Sequence, residues 1–277
     1  MFPTTSRTDH SASPRVFAIA NQKGGVGKTT TAINLGTGLA AAGKRVLVFD
    51  TDPQGNASTG LDCHPEDRDV TSYDVLIGDR PLSAALKPTK VPGLCIVAGD
   101  VSLSGLETEL MTGLRPQFRL RDSIAAYAKE GGEPFDFVLI DCPPSLNILT
   151  VNAMTAADAV LVPVQCEFFA LEGLAQLMET VRAVQANLNP ALGIQGVVLT
   201  MHDKRTTLSD QVAGEVRKYF ADKVYETMIP RNVRLSEAPS HGMPAIVYDV
   251  QAPGSRAYIA LARELIDRER TLAAAAA

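Results

Sequence analysis

Short apolar runs alternate with amphipathic stretches along most of the chain. The apolar runs predict strands at residues 16–20, 45–49, 94–98, 135–140, 159–164, 196–201 and 224–229. The amphipathic stretches predict helices at residues 29–42, 117–129, 146–156, 172–188 and 208–220. Nearly continuous apolar strands separated by helices are typical of parallel sheets covered on both faces. We therefore expect an α/β fold, built on a mostly parallel twisted sheet with helices on both faces.

The two ends of the chain depart from this alternation. Residues 1–14 are rich in Ser, Thr, Asp and Pro, which predicts a flexible tail. A closing helix is predicted at residues 254–272, followed by a short alanine tail at 273–277. Residues 60–93 give the least clear pattern, but no Gly/Ser linker divides the chain. We therefore expect a single domain over residues 15–272.

Composition narrows the class of protein. The chain has 277 residues, of which 45% are hydrophobic and 21% charged, and this excludes a disordered or collagenous protein. The four cysteines include no C-x-x-C pair, so a disulfide scaffold is not expected and a reducing cytoplasm fits best. No apolar run reaches the roughly 18 residues of a membrane helix, and a signal peptide pattern is absent. The net charge of −5 excludes a protein coated with Lys and Arg.

A glycine-rich loop, NQKGGVGKTTTAINL, follows the first predicted strand. Gly24, Gly25 and Gly27 allow the backbone to curl so that its N–H groups converge, and Lys28 adds a positive charge. Thr29 opens a helix whose positive end faces the same place, and its hydroxyl is placed to ligate Mg²⁺. The loop therefore predicts a binding site for a magnesium-bound nucleotide.

The loop departs from the ordinary P-loop in having Gln22 at the first glycine position and a second lysine, Lys23. The octet KGGVGKTT resembles the deviant Walker A loop of the ParA/MinD family of P-loop ATPases. This resemblance implies ATP and Mg²⁺ as cofactors, with Lys23 reaching the partner's phosphates across an ATP-dependent homodimer and Lys28 acting in its own subunit. The implied nucleotide-binding residues here are Lys23, Gly24, Gly25, Val26, Gly27, Lys28, Thr29 and Thr30.

Acidic residues end two of the predicted strands. Asp50 and Asp52 end the second strand, and the carboxyl ends of parallel strands are where ligands bind in such sheets. If the chain stays extended, both carboxylates point the same way, so one could position water and the other support the metal. The alternative is a pair of turn and cap aspartates before Pro53 and Gly55.

The resemblance assigns roles to these carboxylates. In the motif D-x-D-P-Q-G-N it implies that Asp52 orients the attacking water. The strand FDFVLIDCPPS resembles a Walker B element, in which Asp141 holds a Mg²⁺ water and the hydroxyl of Thr29. The predicted metal set is therefore Thr29, Asp52 and Asp141, whereas Cys142 is expected to be a small buried residue without a chemical role.

Two longer strings, VPVQCEFFALEGL and MIPRNVRLSEAPSHGMP, resemble the chromosomal, Soj-type branch of the family, and the resemblance covers roughly residues 15–270. It implies that Pro230, Arg231 and Asn232 border the adenine and that Glu167 touches the partner's ribose. The plain alternatives are a surface turn after a strand and a helix-capping acid.

A DNA-binding surface is the least evident feature of the sequence. Residues 201–234 carry seven basic and five acidic side chains, which by itself is typical of a solvated surface. The resemblance implies that Arg205 and Arg234 contact phosphates, with Arg217 and Lys218 as further candidates. Since no helix-turn-helix precedes the predicted ATPase domain, we expect binding to double-stranded DNA without sequence specificity.

Together these features favour a chromosome-partitioning ATPase that dimerises on ATP, binds nucleoid DNA in the cytoplasm and is released when a ParB-type partner stimulates its slow hydrolysis. A MinD-like membrane-surface ATPase would end in a basic amphipathic helix, whereas this chain ends in TLAAAAA, so we expect no membrane partner. An iron–sulfur carrier would hold its cluster with cysteines in glycine-rich contexts, which the four cysteines lack. A plasmid-partition or cellulose-synthesis relative shares the same catalytic residues and stays open.

Overall fold

The computed structural model describes residues 13–111, 115–167 and 170–276. Seven strands form one sheet in this part of the chain. Their bounds are β1 Arg15–Ile19, β2 Val46–Asp50, β3 Leu86–Pro88, β4 Leu94–Val97, β5 Phe137–Asp141, β6 Ala159–Gln165 and β7 Gly193–Thr200.

Helices connect the strands and cover the sheet. Their bounds are α1 Lys28–Ala41, α2 Asn56–Gly60, α3 Ser72–Ile77, α4 Leu82–Ala85, α5 Leu106–Met111, α6 Arg119–Lys129, α7 Ile148–Ala156, α8 Ala170–Asn187, α9 Thr207–Phe220, α10 Val233–Glu237, α11 Ala245–Tyr248 and α12 Pro253–Ala276. In the described ranges, no helix is long and apolar enough to cross a membrane.

The strand order is β3-β4-β2-β5-β1-β6-β7, and every pairing is parallel except β3 with β4. The α/β fold predicted from the apolar pattern is therefore confirmed. Asp141 at the end of β5 lies in register with Ile19 of β1 on one side and Asp50 of β2 on the other. This register brings the carboxyl ends of three central strands to one edge of the sheet.

The sheet separates two apolar layers, because side chains of a strand alternate between its faces. Phe17 and Ile19 of β1 belong to the layer that contains α1 and α12, whereas Val16 and Ala18 belong to the layer under α7, α8 and α9. Helices α1 and α12 approach closely, since a Cβ on Gly38 would lie 2.9 Å from the Ala262 side chain. This packing fixes the C-terminal half of α1 against α12, and the Thr31 and Tyr258 hydroxyls join the two helices nearer the start of α1, at 3.1 Å.

The strand predicted at 224–229 is wrong. The segment runs beside β7 and forms only an isolated bridge, between Val197 and Val224, within the predicted range. The backbone N–H groups of Glu226 and Thr227 donate instead to the carboxylate of Glu264, at 2.9 and 3.0 Å. A regular ladder therefore cannot form, although the apolar side chains of the segment are buried.

Two further differences concern short and terminal elements. The sequence pattern missed β3, a three-residue edge strand that contains Pro88 and pairs antiparallel with β4. The closing helix was predicted to end at residue 272, but α12 continues to Ala276, because alanine is the strongest helix former. Residues 1–12 of the predicted tail lie outside the described ranges.

Candidate nucleotide site and basic surface

The loop between β1 and α1 forms an open cradle at the sheet edge. Gly25 and Gly27 have φ values of +74° and +89°, in the left-handed region that favours glycine. A Cβ on Gly24 or Gly25 would meet nothing within 4 Å, so this side of the loop faces open space. Helix α1 begins directly after Gly27, and its unpaired N–H groups make this end suited to an anion.

Polar groups from neighbouring strands anchor the loop. The Thr200 hydroxyl at the end of β7 donates to the Val26 carbonyl at 2.8 Å. The Asn21 amide donates to the Pro163 carbonyl at 2.7 Å, and its oxygen accepts from the Lys23 N–H at 3.0 Å. The sequence interpretation did not single out Asn21 or Thr200, although a polar residue at the end of an apolar strand is a usable signal.

Lys28 is buried at the start of α1, and its Nζ donates to the Lys23 carbonyl at 3.1 Å. Burial lowers the pKa of this ammonium, while the nearby carboxylates of Asp141 and Asp52 act in the opposite direction. The ammonium of Lys28 thus lies against the backbone of its own loop and close to the carboxylates of Asp141 and Asp52.

Asp141 is fully buried, and neither carboxylate oxygen has a hydrogen-bond partner among the described residues. Burial raises the pKa of Asp141 well above its usual range, and Asp50 adds to this, while Thr29 and Lys28 oppose it. Buried polar atoms without partners are costly, by about 1–3 kcal/mol each, and are expected to meet a ligand or ion. Two free carboxylate oxygens beside the Thr29 hydroxyl fit the oxygen ligands of Mg²⁺.

Asp50 and Asp52 occupy different environments. The extended chain ends at Asp50, so the condition for both carboxylates to point the same way is not met. Asp50 accepts hydrogen bonds from the Ser58 N–H and hydroxyl and from the Asp52 N–H, and burial raises its pKa to about 6. Asp52 lies in the following turn, where its carboxylate accepts from the Gln54 N–H at 3.0 Å. Asp50 thus accepts three hydrogen bonds from its own chain, whereas the hydrogen bond from Gln54 occupies only one oxygen of Asp52.

Glu167 links two of the predicted nucleotide-binding residues. Its carboxylate lies 3.2 Å from Lys23 Nζ and 3.9 Å from Arg231 Nη2. Gln165 also donates to Glu167. The structure thus brings the second lysine of the loop together with the turn after residue 229.

The turn after residue 229 lies beside the residues that follow β7. Pro230 bridges to His202, and the Arg231 N–H donates to the His202 carbonyl at 3.2 Å. The Oδ1 atom of Asn232 is buried and has no hydrogen-bond partner among the described residues. Pro230 and Arg231 line an open groove of about 690 Å³ together with Arg205. The groove is large enough for a planar base.

The four predicted DNA-binding residues, called the basic surface below, are exposed and lie on three different segments of the chain. Arg205 shares the groove with Arg231, whereas Lys218 lines a second groove, against α8, and Arg217 precedes it in the last turn of α9. Arg234 lies on α10.

Three of these four side chains are paired with a carboxylate of their own chain. The distances are 2.7 Å from Arg205 Nη2 to Asp203 Oδ2, 2.5 Å from Lys218 Nζ to Glu215 Oε1 and 2.7 Å from Arg234 Nη1 to Glu237 Oε2. These hydrogen bonds lower the pKa of Asp203 and raise the pKa of Arg205 and Arg234.

Cys142 is buried beside Asp141, and burial raises the pKa of its thiol. The predicted burial of Cys142 is therefore confirmed, and a thiol that stays protonated is a poor nucleophile.

The chain is similar to proteins whose family is known. A family model described as an AAA domain matches residues 14–194. The chromosome partitioning protein ParA of Caulobacter vibrioides is 62% identical over 96% of this chain and 100% of its own length. The sporulation initiation inhibitor protein Soj of Bacillus subtilis is 52% identical over 91% of this chain and 98% of its own length.

A solved structure has the same fold and contains a bound nucleotide and magnesium. Cobyrinic acid a,c-diamide synthase from Mycobacterium smegmatis, with bound ADP and magnesium, superposes with a TM-score of 0.80 at 36% identity, covering 93% of this chain and 96% of that one. High identity to ParA and Soj over almost the whole length, together with the two-lysine phosphate loop, shows the family. The chain belongs to the ParA/Soj branch of the ParA/MinD family of P-loop ATPases.

Proposed function

We propose that this protein binds ATP with Mg²⁺ and hydrolyses it to control its own dimerisation on DNA during chromosome partitioning. The observation that carries the proposal is the buried Asp141 carboxylate, whose unpartnered oxygens lie near the Thr29 hydroxyl at the start of α1. The ADP and magnesium bound in the similar synthase structure support this assignment.

Different residues of the chain bind the phosphates, hold the metal and position the water for phosphoryl transfer. Backbone N–H groups of residues 24–30 and the ammonium of Lys28 hold the phosphates. Thr29 and Asp141 would hold Mg²⁺, which would supply positive charge to neutralise the transferred phosphoryl group. Asp52 orients the attacking water by accepting a hydrogen bond from it, because a carboxylate is too weak a base to remove the proton of water.

The second lysine and the open side of the loop support a role for a second subunit. Lys23 lies at the rim of the cradle, paired with Glu167, and Gly24 leaves room for close approach. We propose that ATP closes a homodimer in which Lys23 reaches the partner's phosphates and Glu167 reaches the partner's ribose. The groove lined by Pro230 and Arg231 receives the adenine, with Asn232 next in the chain.

Dimerisation also accounts for a switch in DNA affinity. If Arg205 and Arg234 each neutralise one phosphate, a monomer makes two contacts and a dimer four, which gives salt slopes of about −1.8 and −3.6. Affinity therefore follows the oligomeric state by mass action, without refolding. Arg217 and Lys218 extend the surface on the dimer.

The names of the relatives supply the biological setting. ParA of Caulobacter vibrioides is a chromosome partitioning protein, and the match covers nearly all of both chains. We propose that this chain associates with nucleoid DNA and that a ParB-type partner stimulates hydrolysis and so releases monomers.

The proposal is tested by DNA binding at two salt concentrations with ATP, with ADP and without nucleotide, for the native chain and for Asp52→Ala. We expect tight, salt-sensitive binding with ATP only, and for Asp52→Ala a long-lived complex, because hydrolysis no longer ends it. Equal binding in the three nucleotide states would overturn the switch. Rapid ATP hydrolysis by Asp52→Ala would remove this residue from the proposed role.

A further inference from the structure

The turn that carries Asp52 is short and closed by its own backbone. The Gly55 N–H donates to the Asp52 carbonyl at 2.9 Å, and Gly55 has a φ of +60°. Gly55 then becomes the N-cap of α2, a helix of only five residues. So short a helix has little stability of its own, and the position of the turn depends on what holds it from outside.

The guanidinium of Arg68 holds this turn. It extends from the segment before α3 and donates to oxygens of the chain that follows β2 and of the chain that follows β4. Nη1 donates to the Gly99 carbonyl at 2.9 Å, and Nε donates to the Cys63 carbonyl at 3.1 Å. Nη2 lies within hydrogen-bond distance of three oxygens: the Gly55 carbonyl at 3.2 Å, Thr59 Oγ1 at 2.9 Å and the Cys63 carbonyl at 2.9 Å.

The fit around this guanidinium is close. A Cβ on Gly55 would overlap Arg68 Nη1 and would lie 2.7 Å from the Gly99 carbonyl oxygen. A planar fork with several fixed donors suits such a cluster of oxygens, and the single ammonium of a lysine does not reproduce it. The hydrogen bonds of Arg68 thus join the turn after β2 to the chain that leaves β4.

A second connection runs parallel to the first, deeper in the protein. The Ser58 hydroxyl donates to Asp50 at 2.6 Å and accepts from the Gly99 N–H at 3.0 Å. The Asp52 N–H also donates to Asp50, at 3.1 Å. Asp50 and Ser58 therefore fix the start of the turn, whereas Arg68 fixes its far end at Gly55.

We propose that Arg68 is a positioning residue for ATP hydrolysis: by holding Gly55 against Gly99, it sets the place of the Asp52 carboxylate relative to the phosphate cradle. The inference deepens the proposed function and depends on the role of Asp52 in it. The acceptors of Arg68 lie in the segment 55–63 and at Gly99 and include no residue of the phosphate loop, so we infer that Arg68 acts through the turn and not on the nucleotide.

This position predicts a separation between hydrolysis and binding. A misplacement of about 1 Å in a catalytic group can cost on the order of 100-fold in rate. We expect Arg68→Ala to lower kcat by about 10-fold or more, while the KM for ATP and the Kd for ADP with Mg²⁺ stay within about twofold. Arg68→Lys should also lower kcat, since the fork is lost although the charge remains.

The experiment measures kcat and KM for steady-state ATP hydrolysis, the Kd for ADP with Mg²⁺ and urea unfolding for the native chain, Arg68→Ala and Arg68→Lys. Arg80→Ala is the matched control, because Arg80 is 59% exposed and its guanidinium lies 3.9 Å from Asp79 alone among the described carboxylates. Millimolar guanidinium ion, added to Arg68→Ala, should restore part of kcat, whereas Arg80→Ala should behave as the native chain does with and without it.

Asp52→Ala, measured in parallel, separates the two proposals. If Asp52→Ala abolishes hydrolysis and Arg68→Ala leaves kcat within twofold, the inference about Arg68 fails and the proposed function stands. If Asp52→Ala keeps native hydrolysis, the proposed role of Asp52 is wrong, and the inference about Arg68 is wrong with it because it depends on that role. Equal loss of ADP binding and of folding in both Arg68 variants would also overturn the inference, since it would show a merely structural role.

Discussion

The nucleotide site and the basic surface differ in how their charged side chains are buried and paired. At the sheet edge, Lys28 and Asp141 are buried, and the oxygens of Asp141 have no hydrogen-bond partner in the described part of the chain. On the surface, Arg205 is 85% exposed and Arg234 49% exposed, and each is already paired with a carboxylate of the same chain.

The difference shows where a single residue decides function. A buried charge that lacks its full set of partners has a large free-energy reason to bind a ligand, because water cannot replace the missing contacts. An exposed ion pair contributes only about 0–1 kcal/mol and exchanges its partner readily. The nucleotide site is therefore expected to depend on individual side chains, and DNA affinity on their number.

Replacing Lys28 tests the buried side of this comparison and should have the largest effect. We expect Lys28→Ala to weaken ATP binding by about 100-fold or more, which corresponds to about 2.7 kcal/mol, because a desolvated charge is lost from the phosphates. Isothermal titration calorimetry with ATP and Mg²⁺ measures this. Lys44→Ala is the control, since Lys44 pairs with Asp136 at the surface, and ATP affinity of Lys28→Ala within threefold of native would refute the assignment.

Enlarging Gly24 separates the nucleotide site of one chain from the approach of a second. A Cβ at Gly24 meets nothing within 4 Å in its own chain, so Gly24→Val should bind ATP with native affinity within about threefold. Close packing of a second subunit would be blocked, and we expect ATP-dependent dimerisation to weaken by about 10-fold or more. Sedimentation velocity with ATP measures it.

Gly214→Val offers a matched comparison for that experiment, because Gly214 on α9 also has open space around a Cβ. A normal ATP dimer formed by Gly24→Val would contradict the proposed interface. Dimer loss in Gly214→Val as well would show that the effect does not belong to the loop.

Removing a surface arginine should have the smallest effect. Two exposed ion pairs per dimer, at about 0.5–1 kcal/mol each, predict that Arg234→Ala weakens DNA binding roughly five- to thirtyfold and makes the salt slope shallower by about 1.8. Fluorescence anisotropy with duplex DNA, ATP and a salt series measures both. Arg270→Ala is the control, because Arg270 is 76% exposed and pairs with Asp267, and an equal change in both variants would remove Arg234 from the DNA surface.

The central sheet and the phosphate loop could be predicted because their signals are contiguous in sequence. The apolar run before Asn21, the three glycines and Lys28 lie within a few residues of one another. A short, continuous apolar run followed by a glycine-rich loop indicates a buried parallel strand and little else. The register that sets Asp141 between Ile19 and Asp50 follows from the same pattern once the strands are in order.

Features that depend on distant partners were not predictable. The segment after Val224 has the composition of a strand, but Glu264, far along the chain, takes two of its N–H groups. Arg68 lies in the stretch with the least clear pattern, and its acceptors extend to Gly99. In both cases a hydrogen-bonding group that is distant in sequence determines the local backbone conformation. Hydrophobic periodicity describes only neighbouring positions and cannot predict such a contact.

The intrachain partners of Arg205 and Arg234 would affect how fast the protein leaves DNA, if these arginines bind phosphates as proposed. When such an arginine separated from a phosphate, its own carboxylate would be within reach, so no counterion from solution would be needed. Asp203 and Glu237 would then compete with the phosphates and lower both the barrier to detachment and the affinity. A protein built this way would exchange rapidly between neighbouring sites on DNA, and its residence time would be set by how long two subunits stay together.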